Sequence, residues 1–252
     1  MIPVIFEIGP LPVNSFGLMM ACAFLSGIYL LANSFELEGI DPKISERFIF
    51  VAALSGLFGA RLWFLIENYS LIDDNLFAAF FSSAGFVFYG GFLFATLCTY
   101  LLCLYHKIPF SRFCDAVGPT MALGYAIGRV GCQLSGDGDY GKVTDSIWGI
   151  SYSTGVVPTP EGISVYPTPV FESIFACVIT LILVKVEKSH AWRAVPWRRF
   201  GLYLLLISVE RFLVEYIRVE QRYAYGLSSA QYVSALLMFS GLCMIVLKRV
   251  RS

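Results

Sequence analysis

The sequence predicts an all-α membrane protein with seven transmembrane helices, its N-terminus outside and its C-terminus in the cytoplasm. The first observation is composition: of 252 residues, 57% are hydrophobic and only 14% are charged. A soluble domain of this length carries roughly 25% charged residues. The second observation is a set of apolar runs that reach the ~18 to 20 residues needed to cross a bilayer. The third is an uneven distribution of basic residues between the loops.

The apolar runs define seven predicted spans and one long loop. The spans cover residues 14–34, 47–67, 84–105, 113–133, 167–187, 200–218 and 229–247. The intervening segment 134–166 is polar and rich in glycine and proline, so it is predicted to form an outer-face loop. The stretch 73–83 is amphipathic and is predicted to lie along the outer interface. No break in composition divides residues 1–252, which are therefore predicted to form a single transmembrane domain.

The basic residues set the predicted orientation. The loops on one side carry Lys43, Arg47, Lys107, Arg112, Lys188, Arg193, Arg198, Arg199, Lys248, Arg249 and Arg251. The opposite loops carry little beyond Lys142 and Arg222. Cytoplasmic loops are enriched in Lys and Arg, so the first group marks the cytoplasmic side. The formal net charge is +0, which gives no reason to expect nucleic acid binding. The first residues lack a basic leader and cleavage site, so no removable signal peptide is expected.

Charged residues occur inside several predicted spans. Each charge at the bilayer centre costs at least ~2.5–3.5 kcal/mol, so such residues are usually paired or functional. They are predicted to face the interior of the bundle. These residues are Arg61, Arg129, Glu172, Glu210, Arg211, Glu215 and Arg218.

Three of these charges share one predicted helical face, because Arg211, Glu215 and Arg218 lie at i, i+4 and i+7. One interpretation is a salt-bridge ladder that fixes the helix register. The other is an anion-binding pocket, because arginines outnumber the nearby acids once Arg61 and Arg129 are added, and guanidinium groups suit phosphate. Arg218 is near the outer end of its span, where a side chain can also simply reach the interface.

Two glycine-rich stretches fit an anionic ligand. Gly90 and Gly91 allow close approach either of a lipid headgroup or of another helix. Residues 128–141, GRVGCQLSGDGDYG, leave an apolar run and enter the outer loop, where irregular backbone can line a wet cavity. His106 and His190 fall in basic loops on the other side. No His/Cys/carboxylate cluster is expected on one face, so neither a metal nor a cofactor is implied.

Six short motifs together resemble the prolipoprotein diacylglyceryl transferase family of bacterial inner membranes. In chain order they are FGLM (16–19), GAR (59–61), YGG (89–91), GRVGCQLSGDGDYG (128–141), YPTPVFE (166–172) and RFLVEYIR (211–218). The resemblance covers nearly the whole chain and includes the seven spans and their orientation.

The resemblance implies transfer of a diacylglyceryl group from phosphatidylglycerol, or a related anionic glycerolipid, to the lipobox cysteine of a prolipoprotein. It implies a multi-pass protein of the bacterial cytoplasmic membrane. Arg129 and Arg211 take the family positions that stabilise the departing phosphate. Glu215 takes the family position of an acid that holds Arg211 or transfers a proton. Tyr89 is the fourth candidate catalytic residue. The candidate substrate-binding residues are Phe16, Arg61, Gly90, Gly91, Cys132, Asp137, Gly141, Glu172 and Arg218.

Several polar positions of the family pattern are replaced in this chain. Tyr89 stands where the family has histidine, Cys132 where it has asparagine, Phe16 where it has tyrosine and Asp137 where it has glutamate. The phosphate-side arginines are therefore kept, whereas the polar groups expected near the thiol are changed. A tyrosine, with an ordinary pKa near 10, is a poor general base at neutral pH.

These replacements leave the general base and the outcome of the reaction open. Glu215, Asp137 or Asp139 could each take the proton. One alternative is a divergent member that transfers a lipid-derived group to another acceptor, and a second is a non-catalytic phospholipid-binding or transport protein. A further alternative makes Cys132, three residues after Arg129, a nucleophile rather than a small residue lining the pocket.

Overall fold

A computed structural model describes residues 1–9, 11–69, 85 and 87–246, and the described residues are predominantly helical. Seven of their helices are 17 residues or longer, which confirms the predicted helical class. The α-helices are α1 Ser15–Leu37, α2 Ser45–Glu67, α3 Phe88–Tyr105, α4 Phe110–Ser135, α5 Thr168–Glu187, α6 His190–Arg193, α7 Arg198–Val214 and α8 Ser229–Val246.

Five segments of the described chain are long and apolar enough to cross a membrane: α1, Pro42–Glu67, α3, α5 and α8. The other two predicted spans correspond to α4, which has 26 residues, and α7, which has 17. Both are long helices, but they hold several of the buried charges. The predicted interfacial stretch 73–83 lies outside the described residues.

The surfaces of the long helices are unusually apolar. Leu25, Leu54, Leu181 and Leu236 have between 65% and 69% of their surface exposed in the isolated chain. Soluble proteins rarely leave such side chains exposed in contiguous patches, because apolar surface in water is costly. A lipid environment around the helices removes that cost, as the composition predicts.

A short β-hairpin at the N-terminus departs from the purely helical prediction. β1, Val4–Ile8, pairs antiparallel with β2, Leu11–Asn14. The N–H of Ile2 donates to the carbonyl of Leu134 at 2.8 Å, which ties the hairpin segment to the end of α4. The two strands are neighbours in the chain, and the sequence analysis assigned no helix or strand to residues 4–13.

The predicted span 200–218 is too long at its C-terminal end. Helix α7 ends at Val214. The N–H of Glu215 still makes a helical bond to the carbonyl of Arg211, but the N–H groups of Tyr216 and Ile217 donate to carbonyls only three residues back. Arg218 lies in extended backbone and forms an antiparallel bridge with Gly141. The reason is competition from the segment 136–167, called the outer loop after its predicted side, because the N–H of Lys142 donates to the carbonyl of Ile217 at 2.8 Å. Of the predicted helical face, only Arg211 and its C-cap neighbour Glu215 keep helical spacing.

Helix α4 occupies the centre of the bundle. It packs against α1, α5 and α7, while α2 pairs with α3 and α7 pairs with α8. Where α4 meets α5 and α7, the buried side chains Ala122, Ile179, Leu183 and Tyr203 form a hydrophobic cluster. Polar side chains one to two turns further along α4 are therefore enclosed by the same two neighbouring helices.

Glycines bring α2 and α3 into direct backbone contact. A Cβ added to Gly90 would lie 2.3 Å from the Cβ of Trp63 and 2.6 Å from the carbonyl oxygen of Gly59. A Cβ on Gly91 would lie 2.9 Å from the carbonyl oxygen of Gly56. Of the two sequence-based interpretations of these glycines, close helix packing is therefore the contact that the structure contains.

Gly59→Ala is expected to destabilise the fold by about 1–3 kcal/mol, because its Cβ would lie 2.4 Å from the Cβ of Phe94. The matched control is Gly124→Ala, where the new methyl group would meet no atom of a neighbouring helix within 4 Å in the described part of the chain. Thermal unfolding in detergent should show a lower Tm for Gly59→Ala and an unchanged or higher Tm for Gly124→Ala. Equal melting of both variants would contradict the close-packing account.

Candidate functional site

A buried carboxylate organises the charged residues at one end of α4. Glu172, in the second turn of α5, has 0% of its side chain exposed. Its Oε1 lies 2.9 Å from Nη1 of Arg211, and its Oε2 lies 3.0 Å from Nε of Arg129. Nη1 of Arg218 is 3.7 Å from the same Oε1. One carboxylate is thus shared by arginines from α4, from α7 and from the segment after α7.

The outer loop supplies a second carboxylate to the same arginines. Asp139 pairs with the guanidinium group of Arg129, and its Oδ1 lies 3.0 Å from Nη2 of Arg218. Partial burial by itself would raise the pKa of Asp139, but the positive charges of Arg129 and Arg218 lower it below its ordinary value. Asp139 is therefore ionised at neutral pH and holds the loop against α4.

Glu215 completes the set from the C-cap of α7. Its Oε2 lies 3.2 Å from Nη2 of Arg211, and its Oε1 accepts a hydrogen bond from Oγ of Ser228 at 2.7 Å. Arg222 donates to the Glu215 carbonyl at 2.6 Å and to Oε1 of the fully buried Gln231 at 2.8 Å. The start of α8 therefore fixes the orientation of Glu215.

These side chains form one ionic cluster of three guanidinium groups and three carboxylates, and the more exposed Glu220 lies at its edge, 3.6 Å from Nη2 of Arg218. Its members are Arg129, Arg211, Arg218, Glu172, Glu215 and Asp139. The prediction that arginines outnumber the nearby acids is therefore wrong, because the loop contributes Asp139. Arg61, which that expectation counted, donates to the carbonyl of Gly85 at 2.8 Å and lies over the Phe64 ring at the α2–α3 junction.

The members of the cluster differ in their access to the surface. The side chains of Arg211 and Arg129 are 28% and 16% exposed, whereas that of Arg218 is 9% exposed and Glu172 is fully buried. The carboxylates therefore orient Arg129 and Arg211, whose side chains are not fully enclosed. Such groups can make charge-assisted, bidentate contacts with an incoming phosphate or carboxylate.

A close backbone approach explains the need for glycine at position 141. The N–H of Gly141 donates to the carbonyl of Tyr166 at 2.8 Å. A Cβ there would lie 2.5 Å from the carbonyl oxygen of Ile217 and 2.9 Å from Cγ2 of Thr168. Gly141 thus joins the loop, the start of α5 and the segment that carries Arg218.

The rest of the outer loop is anchored by a buried tyrosine. Tyr152 is 1% exposed, its ring lies 5.0 Å from that of Tyr140, and its hydroxyl donates to Oε1 of Gln133 at 2.5 Å. Burial raises the pKa of Tyr152 to about 12. The hydroxyl therefore stays protonated at physiological pH and keeps the loop packed on the end of α4.

A small cavity lies beside the ionic cluster. It has a volume of about 360 Å³ and is lined by Pro3, Asn14, Phe16, Ser135, Asp137 and Val156. The predicted residues Phe16 and Asp137 therefore share one cavity. Oδ1 of Asp137 accepts a hydrogen bond from the N–H of Asp139 at 3.3 Å, which places this cavity next to the loop side of the cluster.

Cys132 is buried on α4, with its Sγ 4.0 Å from Nη1 of Arg129. Its sulfur and the carboxylate oxygens of Asp137 and Asp139 lie within 4.8 Å of one another. The sequence predicted no cluster of His, Cys and carboxylate side chains on one face, so that prediction is wrong. Because Asp139 is already engaged by two arginines, the positive charge beside these three groups disfavours a cation.

Tyr89 lies apart from these contacts. It belongs to the first turn of α3, is 66% exposed and has its ring 5.8 Å from that of Phe88. Among the described residues, no hydrogen bond links its hydroxyl to the ionic cluster. The structure therefore brings together most of the predicted polar residues but leaves Tyr89, Gly90 and Gly91 on the α2–α3 side.

Two neighbours of the cluster were missed as site residues by the sequence analysis. Tyr125 lies one turn before Arg129, whose guanidinium group is 5.1 Å from the Tyr125 ring centre. Glu210 is 5% exposed, and within the described part of the chain neither of its carboxylate oxygens has a hydrogen-bond partner. The i, i+4 spacing of Tyr125 and Arg129 was a usable signal, whereas the lack of partners at Glu210 required the packed structure.

The fold and the site define a helical membrane protein with a preorganised arginine cluster at the outer-loop end of its bundle. The family model described as prolipoprotein diacylglyceryl transferase matches residues 3–247. The chain therefore belongs to the prolipoprotein diacylglyceryl transferase family.

Curated relatives from three bacteria carry the name phosphatidylglycerol–prolipoprotein diacylglyceryl transferase. A relative from Leptospira interrogans is 30% identical over 238 residues, which cover 82% of this chain and 72% of the relative. One from Clostridium tetani is 29% identical over 254 residues, covering 99% and 98%. One from Dehalococcoides mccartyi is 31% identical over 241 residues, covering 94% and 89%.

Glu172→Gln is expected to lower the stability of the fold by about 3 kcal/mol or more, because it removes the fully buried countercharge that Arg129, Arg211 and Arg218 share. The control is Glu161→Gln, which removes an exposed carboxylate from the outer loop. Thermal unfolding in detergent should show a large decrease in Tm for Glu172→Gln only. If both variants melt like the unchanged protein, Glu172 does not organise the cluster.

Proposed function

We propose that this protein transfers a diacylglyceryl group from phosphatidylglycerol to the lipobox cysteine thiol of a prolipoprotein. The supporting observation is the pair of partly exposed arginines, Arg129 and Arg211, that Glu172 holds side by side at the outer-loop end. Membership of the transferase family supplies the reaction, and the names of the relatives supply the two substrates.

The reaction forms one bond and breaks one. The cysteine sulfur attacks the terminal carbon of the diacylglyceryl moiety, so an S–C bond forms while the C–O bond to the phosphate breaks. Glycerol phosphate leaves with the electron pair of that bond, and the thiol proton passes to a base. Negative charge therefore develops on the phosphate, where Arg129 and Arg211 stabilise it.

The ionic cluster makes this stabilisation available without reorganisation. Long arginine side chains lose considerable conformational entropy when a ligand orders them. In this protein the carboxylates of Glu172, Glu215 and Asp139 already order them before the lipid arrives. The lipid phosphate then meets guanidinium groups that are both oriented and partly exposed.

We propose that Asp137 accepts the proton of the thiol. It is one of the three carboxylates that the sequence analysis named as possible bases. Asp139 is held by two arginines, and Glu215 by Arg211 and Ser228. Asp137 accepts a 3.3 Å hydrogen bond from the N–H of Asp139 and contacts the Cys132 thiol, but among the described residues no arginine pairs with it. It also lines the cavity that contains Phe16. It is therefore the least engaged acceptor next to the phosphate-binding arginines.

In the bilayer we propose seven spans, with the five most apolar segments surrounding α4 and α7. The N-terminus and the loop over the ionic cluster then lie outside, and the basic connections lie in the cytoplasm of a bacterium. This orientation places the cluster on the side from which an exported prolipoprotein presents its lipobox.

A non-catalytic lipid-binding protein is the second candidate. Two observations favour it: Tyr89 is exposed away from the cluster, and Cys132 stands where the family pattern has a polar asparagine. Both positions are ones that the family pattern places near the thiol of the acceptor. Such a protein would bind phosphatidylglycerol through the same arginines but would leave the prolipoprotein unmodified.

Arg129→Ala and Arg211→Ala should each lower transfer by about 100-fold or more, since each removes a donor aimed at the developing charge. The test is rescue of a bacterium depleted of its own transferase, with lipoprotein modification followed by mass spectrometry. Lys188→Ala, an exposed residue at the far end of α5, is the control and should retain full rescue. Full activity in either arginine variant would remove the phosphate-binding role.

Tyr89→Phe is expected to reduce transfer by less than about tenfold, because no hydrogen bond joins its hydroxyl to the cluster among the described residues, whereas a general base contributes about 100-fold or more. Asp137→Asn is the matched comparison and should cause the larger loss. The measurement is the transfer rate with a fluorescent lipobox peptide. A larger loss in Tyr89→Phe would assign the proton transfer to the phenol instead.

A further inference from the structure

A second charged cavity lies at the other end of the bundle. Its volume is about 810 Å³, and its walls come from two connections, α1–α2 and α3–α4. It borders the first turn of α4, whereas Arg129 lies 19 residues further along, which corresponds to about 28 Å of helix. A single small ligand therefore cannot occupy this cavity and the ionic cluster at the same time.

Basic side chains dominate the wall of this cavity. Lys43, Arg47, Lys107 and Arg112 all line it. Within the described chain, no carboxylate lies within 4.0 Å of the charged atoms of Lys43, Arg47 or Lys107, whereas Arg112 is 3.8 Å from Glu38. At least three positive charges therefore face the cavity without a paired acid.

The two acids in the wall are already engaged. Oε1 of Glu38 lies 2.6 Å from Nη2 of Arg199, and both side chains are 3% exposed. Oδ1 of Asp41 accepts a hydrogen bond from the N–H of Lys43 at 3.0 Å. The cavity is consequently positive in net charge, and neither acid is free to balance a cationic ligand.

The start of α4 and one buried imidazole nitrogen also belong to the wall. Helix α4 begins there, has 26 residues, and lacks a side-chain N-cap. The positive end of its dipole therefore favours an anion. His106 lies in the wall with its ring 6.1 Å from Phe48 and 5.0 Å from Tyr105, and its buried Nε2 has no hydrogen-bond partner among the described residues.

We infer that this basic cavity binds a phosphate-bearing anion at a site separate from the ionic cluster. Its volume is in the range of small-molecule sites and exceeds what a single phosphate needs, so it can also hold a glycerol or sugar attached to the phosphate. The phosphate comes either from the headgroup of an anionic lipid or from a soluble phosphate ester. The site does not depend on the transfer reaction proposed above.

The test measures hydrogen exchange in the full-length protein, reconstituted in phosphatidylcholine nanodiscs with or without phosphatidylglycerol, and separately with added glycerol phosphate. Binding should slow exchange in peptides that cover residues 38–47 and 106–112. Slowing by phosphatidylglycerol alone identifies a lipid headgroup, and slowing by glycerol phosphate identifies a soluble ligand. No slowing with either probe would overturn the inference.

Paired variants separate this site from a general effect of charge. The double variant Lys43→Gln with Arg47→Gln should weaken the apparent affinity roughly 10- to 30-fold, since each basic group near anionic lipid contributes about fivefold. Lys185→Gln with Lys188→Gln removes the same charge from exposed residues outside the cavity and should leave the protection intact. Equal loss in both double variants would also overturn the inference.

Discussion

The shared carboxylate of Glu172 constrains the outer-loop end of the structure. It is fully buried, and it contacts guanidinium groups of Arg129, Arg211 and Arg218, which come from three separate segments. A buried charge of this kind is tolerated only when it is paired and hydrogen-bonded, and removal of one partner is strongly destabilising. The positions of α4, α5 and α7 relative to one another are therefore tied to one side chain.

The same constraint prepares the arginines for a ligand. Each guanidinium group of the ionic cluster already has a carboxylate partner, so the cluster does not require a bound anion, yet Arg211 and Arg129 keep 28% and 16% of their side chains exposed. A phosphate can then exploit guanidinium groups that are already oriented. Asp139 and Gly141 extend this arrangement to the outer loop, because the first pairs with arginine and the second permits backbone contact with Ile217.

The sequence predicted the helical class, the long helices and most members of the cluster, because apolar periodicity and buried charges are local signals. It did not predict that Arg218 leaves the helix, which depends on a bridge to the distant Gly141. Nor did it predict that Asp139 pairs with Arg218, which lies 79 residues away in the chain. Gly90 and Gly91 could equally serve a ligand or a neighbouring helix until the position of Gly59 was known. The absence of hydrogen-bond partners for the buried carboxylate of Glu210, among the described residues, likewise depends on how several helices pack.

The central claim is that this chain uses its oriented arginines to release a phosphate from a lipid during transfer to a thiol. The most direct measurement is mass spectrometry of a lipobox peptide after incubation with the purified protein in liposomes that contain phosphatidylglycerol. The account predicts a peptide whose cysteine carries a diacylglyceryl group, with release of an equal amount of glycerol phosphate. An unmodified cysteine in the presence of folded protein that binds phosphatidylglycerol would contradict it.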